Sequence, residues 1–225
     1  GLGGVSTPNN SNMHLMFHRC LSLKSIDMSS WDFSSVTDMY GTFEYAKSLQ
    51  TIIWPEQKDF SKVKKMEYLF FGCYDIEEID LTSSSPCVLA SAASMFARCE
   101  KLTTLDLSNI DISNCTYFKD FFHDCNSLEK ITIGEGFKFK QGTPATQLST
   151  GFPRGIWTYS EDGDTYAATD IVALLEQESM PGTFTKVQDH SFQADFAVDY
   201  LIGKITTVRF ETDRPDIFTF EDDGD

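Results

Sequence analysis

The sequence MFARCEKLTTLDLS, residues 95–108, contains one complete copy of the pattern that decides the fold. Phe96 is followed three positions later by a small residue, Cys99, and then by leucines at intervals of three, three and two. The pattern returns along the chain every 26 or 27 residues, each time anchored by a phenylalanine. The anchors are Phe17, Phe43, Phe70, Phe96 and Phe122. A fixed period of this length predicts a solenoid, in which every unit buries its apolar side chains against its neighbours.

Each unit contains one predicted strand. Side chains of a strand alternate between its two faces, so Ile26 and Met28 are expected to be buried and Asp27 to point outward. The outward position recurs in every unit and predicts a column of neighbouring side chains on an exposed sheet. This column consists of Asp27, Ile53, Asp80, Asp106 and Thr132. In solenoids such a surface commonly binds ligands, so these five are the candidate ligand-binding residues. The competing interpretation is that each Asp only accepts hydrogen bonds from nearby backbone.

A helix is predicted ahead of each strand. Val36, Met39, Phe43 and Ala46 follow one another at intervals of three and four, which places them on one stripe of a helix. Serines stand where this helix would begin, and a serine oxygen there can accept hydrogen bonds from the unpaired amides of the first turn. They are Ser34, Ser61 and Ser113. Each unit is therefore predicted to be one helix and one strand.

The units resemble a known family. MFHRCLSLKSIDMS (16–29) and MFARCEKLTTLDLS (95–108) are similar to the BspA-like leucine-rich repeats, found largely in bacterial surface and secreted proteins. The resemblance covers residues 13–134 and extends more weakly to 187. It implies an α/β leucine-rich-repeat solenoid with a short strand plus a helix per turn, about five turns in all. It also implies adhesion or ligand binding at a cell surface, without naming a ligand.

The other segments of the chain lie before and after this array of repeats. Residues 1–12 are predicted to be a flexible N-terminal segment, and 188–225 a β-rich tail or the start of a further domain. Residues 135–187 are read as a degenerate turn and a small α+β C-terminal capping unit. Within the cap we predict a hairpin over 157–166, a helix from a Thr169 or Asp170 cap to Glu178, and a strand over 183–187. Two departures from the repeat are also expected: an irregular loop over 82–91, and a strand end at Pro55.

Composition and charge exclude several partners. The chain has 34 acidic and 18 basic residues and a formal net charge of −16, so nucleic acid and anionic membrane surfaces should repel it. No apolar run of 18 residues exists, and no direct membrane insertion is expected.

Neither a signal peptide nor a sorting motif is visible. The resemblance implies an extracellular or cell-surface location, so we expect the targeting and anchoring segments outside this chain; the sequence does not indicate an oligomeric state.

Four of the six cysteines fall in the small-residue column of the repeat, which favours free buried thiols. Bridges between Cys73 and Cys99, or Cys99 and Cys125, are the geometric alternative, because neighbouring strands stack about 5 Å apart. Cys87 lies off the pattern and is expected to be exposed.

Few residues suggest a catalytic, metal or cofactor site. His14 and His18 have the spacing of two zinc ligands, but no glutamate follows His14 as a zinc-protease helix requires, so no metal is predicted. Acids at 161, 162 and 164 fit a solvated hairpin tip better than a calcium loop. No nucleophile elbow, phosphate loop or Cys-x-x-Cys motif occurs, and no cofactor is expected.

The sequence thus predicts a non-enzymatic adhesion or recognition module. Its expected partner is an extracellular protein or glycan, host matrix included, bound through the exposed strand face. A structural spacer without its own ligand is the main alternative. A hydrolase is a remote one.

Overall fold

The structure is a computed structural model that describes residues 11–139 and 151–187. The chain divides into two compact units, Gly1–Val187 and Gln188–Asp225. The predictions for most of the N-terminal segment (1–10), for 140–150 and for the tail from 188 onward lie outside the described residues. The following description concerns the first unit.

The repeat forms a β-solenoid of about four turns. One side carries short parallel strands: β1 (Ser25–Asp27) pairs with β2 (Thr51–Ile53), and β3 (Glu78–Asp80) pairs with β5 (Thr104–Leu107), which pairs with β7 (Lys130–Ile133). A second side carries β4 (Cys87–Val88) paired with β6 (Ile110–Asp111). Isolated parallel bridges join successive turns on a third side, at Asn12–Asp38, Asp38–Lys65 and Lys65–Ser91. The solenoid prediction is confirmed.

The prediction of one helix per turn is wrong. Over residues 39–46 every second amide donates to the following turn of the solenoid, as Gly41 N does to Glu67 O at 2.9 Å and Phe43 N to Leu69 O at 2.9 Å. From Thr42 onward the intervening amides donate three residues back, as Ala46 N does to Phe43 O at 2.9 Å. An α-helix would need every amide to donate four residues back. The segment is instead a chain of tight turns stacked on its neighbours.

Two left-handed residues per turn of the solenoid maintain this conformation. They fall four positions apart in each unit and adopt positive φ even where they are not glycine. The first column is Leu15, Gly41, Tyr68, Ser94 and Asp120, and the second is Arg19, Tyr45, Gly72, Arg98 and Asp124. A left-handed residue breaks a right-handed helix, so two of them in each unit exclude one. The apolar stripe is buried as predicted, but by turns.

The predicted helix caps are also reassigned. Ser34, Ser61 and Ser113 do not accept hydrogen bonds from a helix; their own amides donate to the carboxylate two residues earlier, at 2.8–2.9 Å. The acceptors are Asp32, Asp59 and Asp111. Each Asp-x-Ser segment is therefore a side-chain turn that fixes a corner of the solenoid.

The core is organised around the anchoring phenylalanines. Their rings form a column of near-parallel stacks, with centroids 5.4 Å apart for Phe43–Phe70 and 5.9 Å apart for Phe70–Phe96. At the C-terminal end, Phe152 meets Phe122 edge-on at 5.6 Å and Trp157 lies fully buried behind it. Offset aromatic pairs stabilise beyond their buried area. The column therefore joins the turns of the solenoid and continues into the cap.

The cap matches its prediction in outline. β8 (Ile156–Tyr159) and β9 (Thr165–Ala167) form the hairpin, α1 (Ala168–Leu175) follows, and β10 (Gly182–Lys186) pairs antiparallel with both β7 and β8. The helix ends at Leu175 rather than Glu178, and its N-cap is Ala167, which makes no side-chain cap bond. Because β10 occupies the edge of β7, the last turn of the solenoid does not present a free strand on this side.

The segment 82–91 is not an irregular loop throughout. It contains β4, and Cys87 and Leu89 are fully buried in the core. The expectation that Cys87 is exposed is therefore wrong, since the Cys87 amide donates to Asn109 O and holds this segment in the stack at 2.8 Å. Strand β2 ends at Ile53, before Pro55, as predicted.

Candidate functional site

The candidate site is the outward side of the strands, which we call the strand face. It consists of the outward side chains of β1, β2, β3, β5, β7 and β10. Paired residues lie at the same level of neighbouring strands: Asp80 with Asp106, Asp106 with Thr132, and Thr132 with Thr183 of the cap. Neighbouring strands lie about 4.8 Å apart, so the four form a continuous row across the solenoid and its cap.

The aspartates of this face share a local hydrogen bond. The Asp27 carboxylate accepts from the Ser29 amide at 3.0 Å, and the Asp106 carboxylate accepts from the Ser108 amide at 2.8 Å. The hydroxyl and amide of Ser29 lower the pKa of Asp27 below its ordinary value, because they favour its charged form. The structure thus shows the backbone-bonding role that was the competing interpretation. One oxygen of each carboxylate fixes the turn after the strand, and the charge stays at the surface.

Asp80 has an additional partner. Its Oδ2 lies 2.6 Å from Nζ of Lys58, whose side chain is only 6% exposed, while its Oδ1 accepts from the Thr82 amide and hydroxyl. Partial burial opposes ionisation, but the hydrogen bonds from Lys58 and Thr82 outweigh it, so the pKa of Asp80 lies below its ordinary value. Asp80 therefore neutralises a buried ammonium as well as lying on the face.

At the cap end the face carries hydroxyl groups and a lysine in place of carboxylates. The hydroxyls of Thr132 and Thr183 lie 3.0 Å apart and share a hydrogen bond, and the Thr183 amide donates to Ser160 Oγ at 2.9 Å. At the next level along the strands, Thr104 pairs with Lys130, Lys130 with Thr185, and Thr185 with Thr158. The strand face is thus acidic near β3 and β5 and rich in hydroxyl groups toward the cap.

A cleft interrupts the strand face between β2 and β3, which we call the β2–β3 cleft. The two strands belong to separate sheets, and in the described parts of the chain no ladder joins them. The cleft has a volume of about 310 Å³ and is lined by Gln50, Thr51, Ile52, Trp54, Glu77, Glu78, Ile79 and Asp80. Ile52 is only half-buried, whereas Ile26, Ile79, Leu105 and Ile131 of its column are buried.

Three features of the second unit accompany the cleft. Trp54 occupies a position that is a smaller aliphatic residue in the other units, and its ring packs edge-on against Phe43 and Phe60 at 6.5 and 5.7 Å. Pro55 follows directly and supplies no backbone donor. The unit from Phe43 to Phe70 is also one residue longer than the others. A bulky ring, a missing donor and an added residue together separate β2 from β3.

The five predicted site residues therefore form two groups. Asp27 pairs with Ile53, and Asp80 pairs with Asp106, which pairs with Thr132. Ile53 and Asp80 are not paired, because the β2–β3 cleft lies between their strands. The expected single column is thus divided, and the larger group continues into the cap.

Sequence reasoning missed a second surface, on the tight turns. There Tyr40 stacks on His14 at 4.7 Å, and Tyr40 meets Tyr68 at 5.5 Å. Phe71 contacts Tyr68 and Tyr45, and is overlain by the Arg98 guanidinium 5.8 Å from its centroid. We call this the turn face. Because these segments were predicted to be helical, the sequence could not place their rings together.

Most of the cysteines and two of the histidines have local partners within the fold. All six cysteines are free. In the repeat column the thiols of Cys73, Cys99 and Cys125 each donate to the carbonyl of a phenylalanine in an earlier turn of the solenoid, as Cys125 does to Phe96 O at 3.0 Å. Burial raises the pKa of Cys87 and of Cys125 to about 12. His18 Nδ1 lies 3.0 Å from Glu44, and His14 stacks on Tyr40.

The described residues contain neither a metal-binding cluster nor a membrane-spanning helix. Within 11–139 and 151–187, no group of three or more His, Cys, Asp or Glu side chains is placed to hold a metal ion. In the same ranges no helix has the length and apolar character that crossing a bilayer demands.

Fold and surface together define a repeat protein of the β-solenoid class with an exposed parallel strand face. The sequence profile of the family described as "Mycoplasma protein of unknown function, DUF285" matches residues 11–136, more than half of the chain. The chain belongs to this family, which is related to the BspA-like repeat families. Searches of curated proteins and of solved structures gave no match.

Proposed function

We propose that this chain is a non-enzymatic recognition module of a secreted or cell-surface protein of BspA-like type. It binds an extracellular protein or glycan through the strand face. One observation carries the proposal: the in-register row from Asp80 through Asp106 and Thr132 to Thr183, which presents charged and hydroxyl groups on a regular β surface. Solenoids use extended surfaces of this kind to bind their partners.

The chemistry of the face favours a polar partner with cationic groups. Near β3 the face carries exposed carboxylates, which only accept hydrogen bonds. Near the cap it carries hydroxyl groups, which both donate and accept them. Charge complementarity of this type steers association and selects partners, more than it adds raw affinity. The expected binding therefore weakens as salt rises.

A structural spacer is the second candidate, and one observation favours it. The Asp27 and Asp106 carboxylates already accept hydrogen bonds from their own turns, so the fold explains these residues without a ligand. A spacer would need only the stacked core and the cap.

Binding to an array of extracellular-matrix proteins and glycans at physiological salt separates the two. Asp106→Asn keeps the acceptor for Ser108 and removes the charge, and Asp106→Arg adds a bulky cation in the middle of the face. Glu100→Arg is the matched control, because Glu100 is exposed in the preceding turn segment and outside the strands. A recognition module binds saturably, loses that binding in Asp106→Arg, and keeps it in Glu100→Arg. A spacer gives no saturable binding to any member of the array.

A further inference from the structure

We propose that the β2–β3 cleft binds an extended basic peptide segment of a partner protein, which adds a strand to the sheet there. This inference rests on the proposed function, since it names the partner chemistry for one part of the strand face. It is carried by three features of the cleft: unpaired strand edges, an apolar floor and an acidic rim.

The unpaired edges are local to this site. The Gln50 amide donates to Lys24 O of the preceding turn of the solenoid at 2.8 Å, and the Thr103 amide donates to Glu77 O of its own preceding turn at 3.0 Å. The equivalent bond, from the Glu77 amide to Gln50 O, is absent from the hydrogen bonds of the described residues. On the turn face, the two turns of the solenoid that carry β2 and β3 remain hydrogen-bonded to each other, for example by Phe43 N to Leu69 O at 2.9 Å. The opening is therefore a wedge on the strand side.

A wedge with two free edges is suited to strand addition. An unpaired edge presents a row of N–H and C=O groups that can pair with another chain. Proteins exploit such edges to bind extended peptides, with main-chain hydrogen bonds supplying affinity and alternate side chains supplying specificity. Here the edges of β2 and β3 face each other across the cleft, and each is three residues long.

The floor and rim specify the peptide. Ile52 and Trp54 are partly exposed at the floor, while Glu77, Glu78 and Asp80 are exposed at the rim. Asp80 is paired with Lys58, but neither Glu77 nor Glu78 forms an ion pair among the described residues. No basic side chain lines the cleft. An extended segment directs alternate side chains to opposite faces, so lysine or arginine alternating with an aliphatic residue matches both surfaces.

The test uses two synthetic octapeptides, (Lys-Val)4 and (Lys-Pro)4. They carry equal charge, but proline removes half of the backbone donors. Binding to the full chain is followed by Trp54 fluorescence at physiological salt, with Trp54→Phe as the spectral control. The protein variants are Glu77→Gln/Glu78→Gln, and Glu129→Gln as the matched control. Glu129 is exposed and occupies the same position of the repeat as Glu77. At Glu129 the neighbouring turns are hydrogen-bonded, because its amide donates to Thr103 O at 2.9 Å.

The proposal predicts that (Lys-Val)4 binds and that (Lys-Pro)4 binds much more weakly. Glu77→Gln/Glu78→Gln should weaken (Lys-Val)4 binding by about tenfold, the loss expected for two exposed ion pairs, and Glu129→Gln should not change it. Equal binding of the two peptides, or an undiminished affinity in the double variant, overturns strand addition at this cleft. So does no binding of (Lys-Val)4. None of these failures affects the array result with Asp106→Arg, which tests the proposed function separately.

Discussion

Replacing Phe70 by alanine should destabilise the solenoid more than the same change at Phe17, which begins the ring column. Phe70 is fully buried and stacks between Phe43 at 5.4 Å and Phe96 at 5.9 Å, with interplanar angles of 6° and 9°. Removing a buried phenylalanine costs about 3–5 kcal/mol, through lost transfer free energy and the cavity that remains. Because Phe70 is stacked between two rings of a regular repeat, the neighbouring side chains have little freedom to move into the cavity that its removal leaves. We therefore expect a loss near the upper end, about 4 kcal/mol.

Phe17→Ala provides the matched control. Phe17 begins the column, is only partly buried, and has one stacked neighbour, Phe43 at 5.4 Å. Its removal should cost about 1–2 kcal/mol, since less area returns to water. Urea unfolding monitored by circular dichroism measures both values, with unchanged slopes required for the comparison. Equal losses at the two positions, or a loss below about 2 kcal/mol at Phe70, would refute the stacked column as a main source of stability.

Three further predictions concern thiols and charges. Native protein should react with Ellman's reagent quickly at Cys20 alone and at all six thiols after unfolding, because the other five are buried; a second fast thiol in the native state would contradict this packing. Asp80→Asn should cost about 1–3 kcal/mol in urea unfolding, since it leaves the buried Lys58 ammonium without its counter-charge; a loss no larger than that of Asp106→Asn, which breaks no ion pair, would disprove this role. Unfolding free energy should be nearly constant between about pH 5 and 7 and fall below about pH 4, because aspartates with folded pKa values below their ordinary ones stabilise the fold only while ionised; a free energy unchanged down to about pH 2.5 would be inconsistent with it. These aspartates include Asp27, Asp32 and Asp59, whose pKa values the hydroxyls and amides of Ser29, Ser34 and Ser61 lower.

The sequence predicted the repeat and its buried columns because those depend on spacing alone. The alternation around Ile26 and Met28 occurs in the structure: Ile26 lies in strand β1, Met28 directly follows the strand, and both side chains are buried. The phenylalanine column was likewise predictable, since its members recur at one position of a fixed period and lie stacked. The cap was predicted from its turn residues and its alternation, with an error of three residues at the end of its helix.

The helix was a wrong prediction for a physical reason. Intervals of three and four also arise in consecutive tight turns, so the spacing did not distinguish the two conformations. Glycine would have marked the left-handed positions, but only Gly41 and Gly72 occupy them, and larger residues such as Tyr68 and Arg98 fill others. Hydrogen bonds to the following turn of the solenoid, as from Tyr45 N to Phe71 O at 2.7 Å, stabilise this conformation, and they cannot be read from local sequence.

The candidate site was only partly predictable. The outward column followed from period-two alternation, and its pairing from Asp80 to Thr132 is in the structure. The β2–β3 cleft depends on how the Trp54 ring packs against Phe43 and Phe60, which is a tertiary property. The buried Lys58 that pairs with Asp80 could not be anticipated either, because burial of a lysine depends on tertiary packing.

The most direct test of the strand face as the recognition surface is hydrogen–deuterium exchange of the chain, with and without its tightest partner from the array. The account predicts that bound partner slows exchange in the strands and not in the turn face. The strands concerned are Thr51–Ile53, Glu78–Asp80, Thr104–Leu107 and Lys130–Ile133. Protection confined to the tight turns around Tyr40, Tyr45 and Tyr68, with the strands unchanged, would contradict it and would move recognition to the turn face.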